Sequence, residues 1–203
     1  MQLQLQRMDS LLGKGQLEKV RGNLALALQQ TTRLHRLVEN VLDLSQIQAG
    51  RLVLAREEVD LAQLVCDVAA RFAEAAQKAS TEVVLRTSGP VVGRWDRLRL
   101  EQVVINLLSN ALKFGRGKPV ELRVEACAGT AVLMATDHGL GIGAEDLSRI
   151  FERFERAVTV NAYSGLGLGL FITRQIVEAH GGSIRAASLS GEGATFTVEL
   201  PLG

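Results

Sequence analysis

No stretch of the 203-residue chain stays apolar for the roughly 18 residues that a membrane crossing requires, so a helical span within it is excluded. No signal-peptide pattern stands ahead of the first helix either, and the expected location is cytoplasmic, with membrane anchoring of a longer parent left open. An excess of one charge is also missing: 23 Lys and Arg face 22 Asp and Glu. Nucleic acid, held by clustered basic residues, is therefore not an expected partner. Cysteine is scarce. Cys66 and Cys127 stand far apart, each in an apolar stretch, which predicts two buried small hydrophobes rather than a disulfide or metal pair and suits a reducing compartment. A P-loop is absent too, because the Gly-Lys pairs in "LLGKGQ" and "GRGKPV" lack the Ser or Thr that must follow. The glycine run "GLGLGLFI" at 165–172 follows the polar "RAVTVNAYS" instead of an apolar strand and lacks the third-glycine spacing, which excludes a dinucleotide fingerprint.

What is present divides near residue 50. Residues 17–48 read as one long helix without proline and with a single internal glycine, Gly22. Two neighbouring seams run along it, Leu24, Leu28, Thr31, His35, Val38, Leu42 and Ala27, Thr31, Leu34, Val38, Val41, Ser45. Alternating steps of four and three suit a bundle. With the preceding "MQLQLQRMDSLLGKG" as a short arm and turn, residues 1–50 form a helical hairpin able to pair with a second copy as a four-helix bundle, a homodimer. Residues 51–203 are mixed. A helix is expected at 61–78, a strand at "TEVVLRT", a helix over "WDRLRLEQVVINLLSNALKF" capped by Asp96, then strands "VELRVEAC" and "TAVLMATD" turning at Gly129. An apolar-periodic helix, "LFITRQIVEAHGG", and a final hairpin turning near Gly191 and Gly193 complete an α+β domain.

Two stretches carry chemistry. At about 100 degrees per residue, Asn106, Asn110 and Lys113 fall on one narrow stripe while Val104, Leu107, Leu108 and Ala111 seek the core. Such a stripe is either a plain solvated face or the edge of a triphosphate site, since an amide oxygen is a hard neutral Mg²⁺ ligand and a Lys ammonium a compact phosphate partner. In "DHGLGIG", Asp137 ends an apolar strand and Gly139, Gly141 and Gly143 follow. This is either a turn or an acceptor for an exocyclic amine such as adenine N6, with close backbone access.

"NLLSNALKF", "DHGLGIG", "IFERFERA" and "GLGLGLFI" follow the order and rough spacing of the N, G1, F and G2 boxes of bacterial sensor histidine kinases. The chain thus resembles that family, within the GHKL ATP-binding superfamily. The resemblance implies a two-layer α/β sandwich, the GHKL or Bergerat ATP-binding fold, over residues 51–203, preceded by a partial dimerisation hairpin at 1–50. It implies Mg²⁺-ATP as the bound nucleotide, with Asn110 coordinating Mg²⁺, Asn106 assisting the metal directly or through water, and Lys113 contacting phosphate. Asp137 would read adenine, with Gly139 and Gly141 passing close to the base. The backbone around Gly165, Gly167 and Gly169 would cradle phosphates at a helix start, and Arg156 would approach the γ-phosphate. Phe151 and Phe154 are expected to pack the base of a lid spanning 155–164. The implied partner is the receiver domain of a response regulator.

Departures from the pattern bear on function. In gyrase, mismatch-repair and heat-shock chaperone ATPases and in anti-sigma serine kinases a Glu stands four residues before the metal Asn, where it activates water or a hydroxyl. Here that place is Asn106. A neutral imidazole is nucleophilic without such a base, which favours histidine as acceptor. Leu166 replaces the usual small hydroxyl residue of the G2 box, and His138 the commoner Asn of G1. The phosphoacceptor motif, a His followed by an acidic residue and Arg-x-Pro, appears nowhere; its expected place is upstream of Met1. None of His35, His138 and His180 has the flanking chemistry of an acceptor. The expected function is the ATP-binding catalytic core of a protein-histidine kinase that lacks its acceptor, and the alternative is a non-catalytic nucleotide-binding or dimerisation module.

Overall fold

The structure, a computed structural model, describes residues 17–49, 52–115, 117–155 and 167–203. By its internal contacts the chain divides into two compact units, residues 1–50 and 51–203. The first contributes helix α1, Leu17–Gln48, 32 residues long. Leu28, Leu34, Val38, Val41 and Leu42 of its seams are all exposed, while Ala27 is buried. The preceding arm of the expected hairpin lies outside the described residues. No described helix is long and apolar enough to cross a membrane.

The second unit is a five-stranded mixed sheet carrying helices on one face. In chain order its elements are β1 (Glu57–Asp60), α2 (Leu61–Arg71), α3 (Ala73–Lys78), β2 (Val83–Thr87), β3 (Val92–Trp95) and α4 (Arg97–Phe114). They continue with β4 (Val120–Cys127), β5 (Thr130–Asp137), α5 (Ala144–Leu147), α6 (Gly169–Ala179), β6 (Ser183–Leu189) and β7 (Gly193–Pro201). The sheet order is β2-β4-β5-β7-β6, and only the β2–β4 pair is parallel. Alternation sets its two faces: Val120, Leu122 and Val124 of β4 point inward with Ala131, Leu133 and Ala135 of β5, whereas Glu121 and Arg123 point outward. Helices α2, α4 and α6 pack on the inner face. This is the α+β sandwich expected from the sequence.

Helix α4 begins where Asp96 caps it, its Oδ1 accepting from Arg99 N at 3.0 Å, and its other oxygen accepting from Ala55 N at 2.9 Å. The cap therefore also ties down the approach to β1. Leu100, Val103, Val104, Leu107, Leu108 and Ala111 form its buried face, each larger side chain contributing about 1.5–3 kcal/mol by leaving water. The β4–β5 hairpin turns at Ala128 and Gly129, both at positive φ (48° and 82°), as the twist of a tight hairpin requires.

Three local expectations need correction, and one element was missed. The helix expected at 61–78 is interrupted at Phe72, whose N–H is shared by the Val68 and Ala69 carbonyls at φ −89°, ψ 0°. A two-stranded ribbon, β1 with β3, was not legible, because four-residue strands hold too few alternations to be read. Cys127 is exposed at the end of β4, and Cys66 is half-buried; both are free thiols. Phe151 packs edge-on against Phe196 with ring centroids 6.4 Å apart, but Phe154 is 61% exposed at φ 65° and does not belong to the core.

His180 joins two helix ends. Its ring is 1% exposed, Nε2 accepts from Asp96 N at 3.0 Å, and Nδ1, which then carries the proton of the neutral ring, donates to Ile176 O at 2.8 Å. Burial holds its pKa below the usual histidine value, helped by the nearby Arg56 charge and opposed by the Ile176 carbonyl and Asp96. The unfolded chain therefore takes up the proton first, near pH 6.5, and stability falls as pH drops through that value. Melting curves between pH 5 and 8 are expected to show this loss. His180→Leu should lower stability by about 1–3 kcal/mol at pH 8, because the Asp96 N–H loses its acceptor, and should flatten the slope; a slope unchanged by the substitution would contradict the assignment.

Candidate functional site

The opposite face of α4 carries Asn106, Asn110 and Lys113, one turn apart and all half-buried. Asn106 Nδ2 donates to Gly169 O and to Thr173 Oγ1 of α6, both at 3.3 Å. A carbonyl oxygen only accepts, so the nitrogen must face Gly169 and the amide oxygen is left without a protein donor among the described residues. The Asn110 amide has no hydrogen-bond partner among the described residues. Two neutral hard oxygens on neighbouring turns are thus open to a cation, the donor chemistry that Mg²⁺ prefers when it keeps most of its waters. Lys113 lies in the last helical turn, its Nζ 4.6 Å from the centre of the Phe114 ring. No group of three or more His, Cys, Asp or Glu residues able to hold a metal occurs among the described residues, so a divalent ion here would rest on amides, water and a ligand's own phosphates.

The end of α4 meets the strand that delivers Asp137. Leu140 N donates to Phe114 O at 3.2 Å, and a Cβ on Gly139 would collide with that same carbonyl. Gly141 sits at φ 66°, where a Cβ would strike Leu189 O of β6. Both glycines are thus demanded by the packing of the loop between α4 and β6. Asp137 is 6% exposed. Its Oδ1 accepts from Gly139 N at 2.9 Å in an Asx turn. Burial raises its pKa above the ordinary aspartate value, against the backbone N–H groups of Gly139 and Ala194 and the neighbouring His138. A buried carboxylate with spare lone pairs is a strong acceptor awaiting a donor.

A cleft of about 570 Å³ opens at this end of the sheet, lined by Asp137, His138, Leu147, Ser188 and Thr195 among others. Asn106, Asn110 and Lys113 do not line it, so the α4 edge is a surface distinct from that cleft. On the other flank, Gly169 begins α6 and Gly167 lies just ahead of its cap, Leu168; Phe154 N donates to Gly167 O at 3.1 Å, bringing the segment around Phe151 and Phe154 to the glycine turn. Arg153 lies over the Phe171 ring at 4.9 Å. Arg156, Gly165 and Leu166 lie outside the described residues, as do the side chain of His35 and nearly all of the expected lid. Asn106 therefore touches the α6 start, while Asp137 is joined to the α4 end through Gly139 and Leu140. Sequence reading missed Thr173 and the contacts of Gly193, where a Cβ would collide with Asp137 O. Neither has a sequence signal: one is a threonine in an apolar helix, the other a hairpin glycine.

Residues 95–203 match the family model described as histidine kinase-, DNA gyrase B- and HSP90-like ATPase. The chain is similar to the circadian input-output histidine kinase CikA of Synechococcus elongatus, 38% identical over 81% of the chain and 23% of that protein. It is also similar to the sensor protein SrrB of Staphylococcus aureus, 30% identical over 91% of the chain and 32% of that protein. Among solved structures, full-length ShkA in complex with AMPPNP superposes with a TM-score of 0.78 at 29% identity, covering 91% of this chain and 39% of that one. The chain thus spans between about a quarter and a third of the length of the curated relatives it matches.

The buried carboxylate yields a stability test. With its folded pKa raised, Asp137 favours the fold while protonated, and that contribution is lost as pH rises through the folded value. Asp137→Asn keeps an acceptor for Gly139 N without the charge. It should raise the melting temperature at pH 7 and remove the part of the pH 4–7 slope that Asp137 contributes; a lower melting temperature would speak against a strained carboxylate.

Proposed function

The chain belongs to the family of histidine kinase-, DNA gyrase B- and HSP90-like ATPases, as an ATP-binding domain of the sensor histidine kinase type. From that premise we propose that it transfers the γ-phosphate of ATP to a histidine on a dimerisation helix, for relay to an aspartate of a response-regulator receiver domain. The observation that carries the reading is the pairing of open amide oxygens on Asn106 and Asn110 with a buried Asp137 at the end of β5, whose following loop meets the end of the same helix.

The roles divide by chemistry. Asp137 accepts from the exocyclic amine of adenine and so favours adenine over guanine, which carries a carbonyl at that position. Gly139 and Gly141 hold the loop beside the base. Asn110, with Asn106, would hold Mg²⁺ through its amide oxygen, and Lys113 would bring a positive charge to the phosphates. The turn at Gly165, Gly167 and Gly169 lends backbone N–H groups at the start of α6, and Arg156 meets the γ-phosphate. Bound Mg²⁺ supplies charge neutralisation at the β- and γ-phosphates. The protein's own residues orient the nucleotide and exclude water; none forms a covalent intermediate. With Asn106 in place of a carboxylate, no general base activates water, so hydrolysis forgoes the roughly 10² to 10⁴-fold help such a base gives. The exposed apolar seam of α1 is the surface through which two chains pair.

Two measurements test this. In calorimetry with Mg²⁺-ATP, Asn110→Ala should lose at least tenfold in affinity with Mg²⁺ present and little in EDTA; equal affinity in both conditions would remove Asn110 from the metal. Asp137→Asn should lose more affinity for ATP than for GTP. In phosphotransfer, the chain with Mg²⁺-ATP should label a separately supplied acceptor-helix domain while leaving itself unlabelled. Acid-labile phosphate on His35 would overturn that division of labour, and nucleotide binding without any transfer would favour the non-catalytic module.

A further inference from the structure

Thr173 lies one turn beyond Gly169 on α6, and its side chain is fully buried at 0% exposure. Its helix neighbours Phe171, Ile172, Ile176 and Val177 are all buried and apolar, so the β-branched shape alone would be supplied as well by valine, and what threonine adds is the hydroxyl. The hydroxyl meets the Asn106 amide: Oγ1 accepts one Nδ2 hydrogen at 3.3 Å, while the Gly169 carbonyl takes the other at the same distance. A third contact limits the amide. A Cβ on Gly169 would lie 3.4 Å from Asn106 Oδ1, so the amide sits against a bare Cα.

We propose that Thr173 is a positioning residue for the Mg²⁺ subsite: the Gly169 carbonyl selects the amide orientation of Asn106, and Thr173, by taking the second amide hydrogen, holds it there so that Oδ1, not the NH₂ group, is offered to the cation. An amide held by one acceptor can still pivot about that bond, and each turn toward NH₂ sets a partial positive charge against a dication. Two acceptors on two atoms of α6 remove the pivot. The inference rests on the reading of Asn106 and Asn110 as the metal edge. It adds that the metal edge of α4 is set by the first turn of α6, the turn that follows the glycine run.

The test is nucleotide binding by the full chain as a function of Mg²⁺ concentration, read with a fluorescent ATP analogue. In Thr173→Val the Mg²⁺ concentration giving half of the metal-dependent gain in affinity should rise about 3–10-fold, the factor that one ordinary hydrogen bond supplies. Affinity in EDTA should not change. Thr173→Ser, which keeps the hydroxyl, should behave as wild type, and in an Asn106→Ala background Thr173→Val should have no further effect. Without nucleotide, the side-chain NH₂ of Asn106 should exchange slowly with water in wild type and Thr173→Ser and faster in Thr173→Val. Should Thr173→Val fail to fold, Thr173→Cys, a weaker acceptor of similar size, carries the same comparison. An unchanged Mg²⁺ midpoint, equal weakening with and without Mg²⁺, or an effect that persists without Asn106 overturns the proposal while leaving the nucleotide reading intact. A wild-type chain with no Mg²⁺-dependent nucleotide binding defeats that reading, and this inference with it.

Discussion

Everything at the site hangs on one helix having to serve two surroundings at once. The inner side of α4 is anchored by Leu100, Val103, Val104, Leu107, Leu108 and Ala111 against the sheet and its helical neighbours, and truncating any of the leucines to alanine would cost on the order of 2–5 kcal/mol. That anchoring fixes the rotation of the helix about its axis. Because rotation is fixed, Asn106, Asn110 and Lys113 have no freedom to share the opposite edge or not; it follows from their spacing of four and three. The ends are fixed as firmly. Asp96 caps the start while its backbone N–H is held by His180 at the end of α6, and the Phe114 carbonyl receives the loop after Asp137. A rigid scaffold of this kind is what positioning chemistry needs, since misplacement of a polar group by an ångström is enough to lose its effect.

The second constraint is a charge kept where it is costly. Asp137 ends β5 opposite Ala194 of β7, covered by a loop whose glycines allow the backbone to close over it. The carboxylate is met by the backbone N–H groups of Gly139 and Ala194, yet burial pushes its pKa upward. Apolar residues would fill this place at lower cost to the fold, as they do at Ala131, Leu133 and Ala135 on the same face of the same strand. Carboxylates with pKa values shifted in this way cluster at functional sites, and on the proposed function the exocyclic amine of adenine returns the hydrogen bond.

Much of this was legible in the sequence. The 3.6-residue period of α4, the Asp96 cap, the Gly129 turn and the strand ending in Asp137 each rest on local chemistry that the chain carries in place, and the structure has all four. What was not legible depends on atoms far apart in sequence. Asn106 and Thr173 are 67 residues apart, and no local pattern marks a threonine on a buried helix face as a partner for an amide. His180 read as the residue before two helix-ending glycines, yet it spans 84 residues to hold the Asp96 N–H. The glycines of the G1 segment read as access to a base, whereas their collisions with Phe114 and Leu189 give a packing reason for them that stands without any ligand. Phe154 failed for a different reason: apolar character predicts burial only on average, and a single exposed aromatic at positive φ lies in the tail of that rule.

The identity of residue 106 then takes on a meaning beyond the loss of a base. The isosteric carboxylate, an aspartate, would turn two acceptor oxygens toward the Gly169 carbonyl and the Thr173 hydroxyl, and only the hydroxyl could donate back. The carbonyl would face a like partial charge across about 3 Å with no proton between. Accommodating a carboxylate would therefore require the start of α6 to move, and α6 begins at the glycine run proposed to cradle phosphate. Amide at 106, carbonyl at 169 and hydroxyl at 173 form one matched set of donor and acceptors. On the proposed function, the chemistry that spares water and waits for an imidazole is tied to the contact between α4 and α6, and replacing the amide by its isosteric carboxylate would disturb the start of α6.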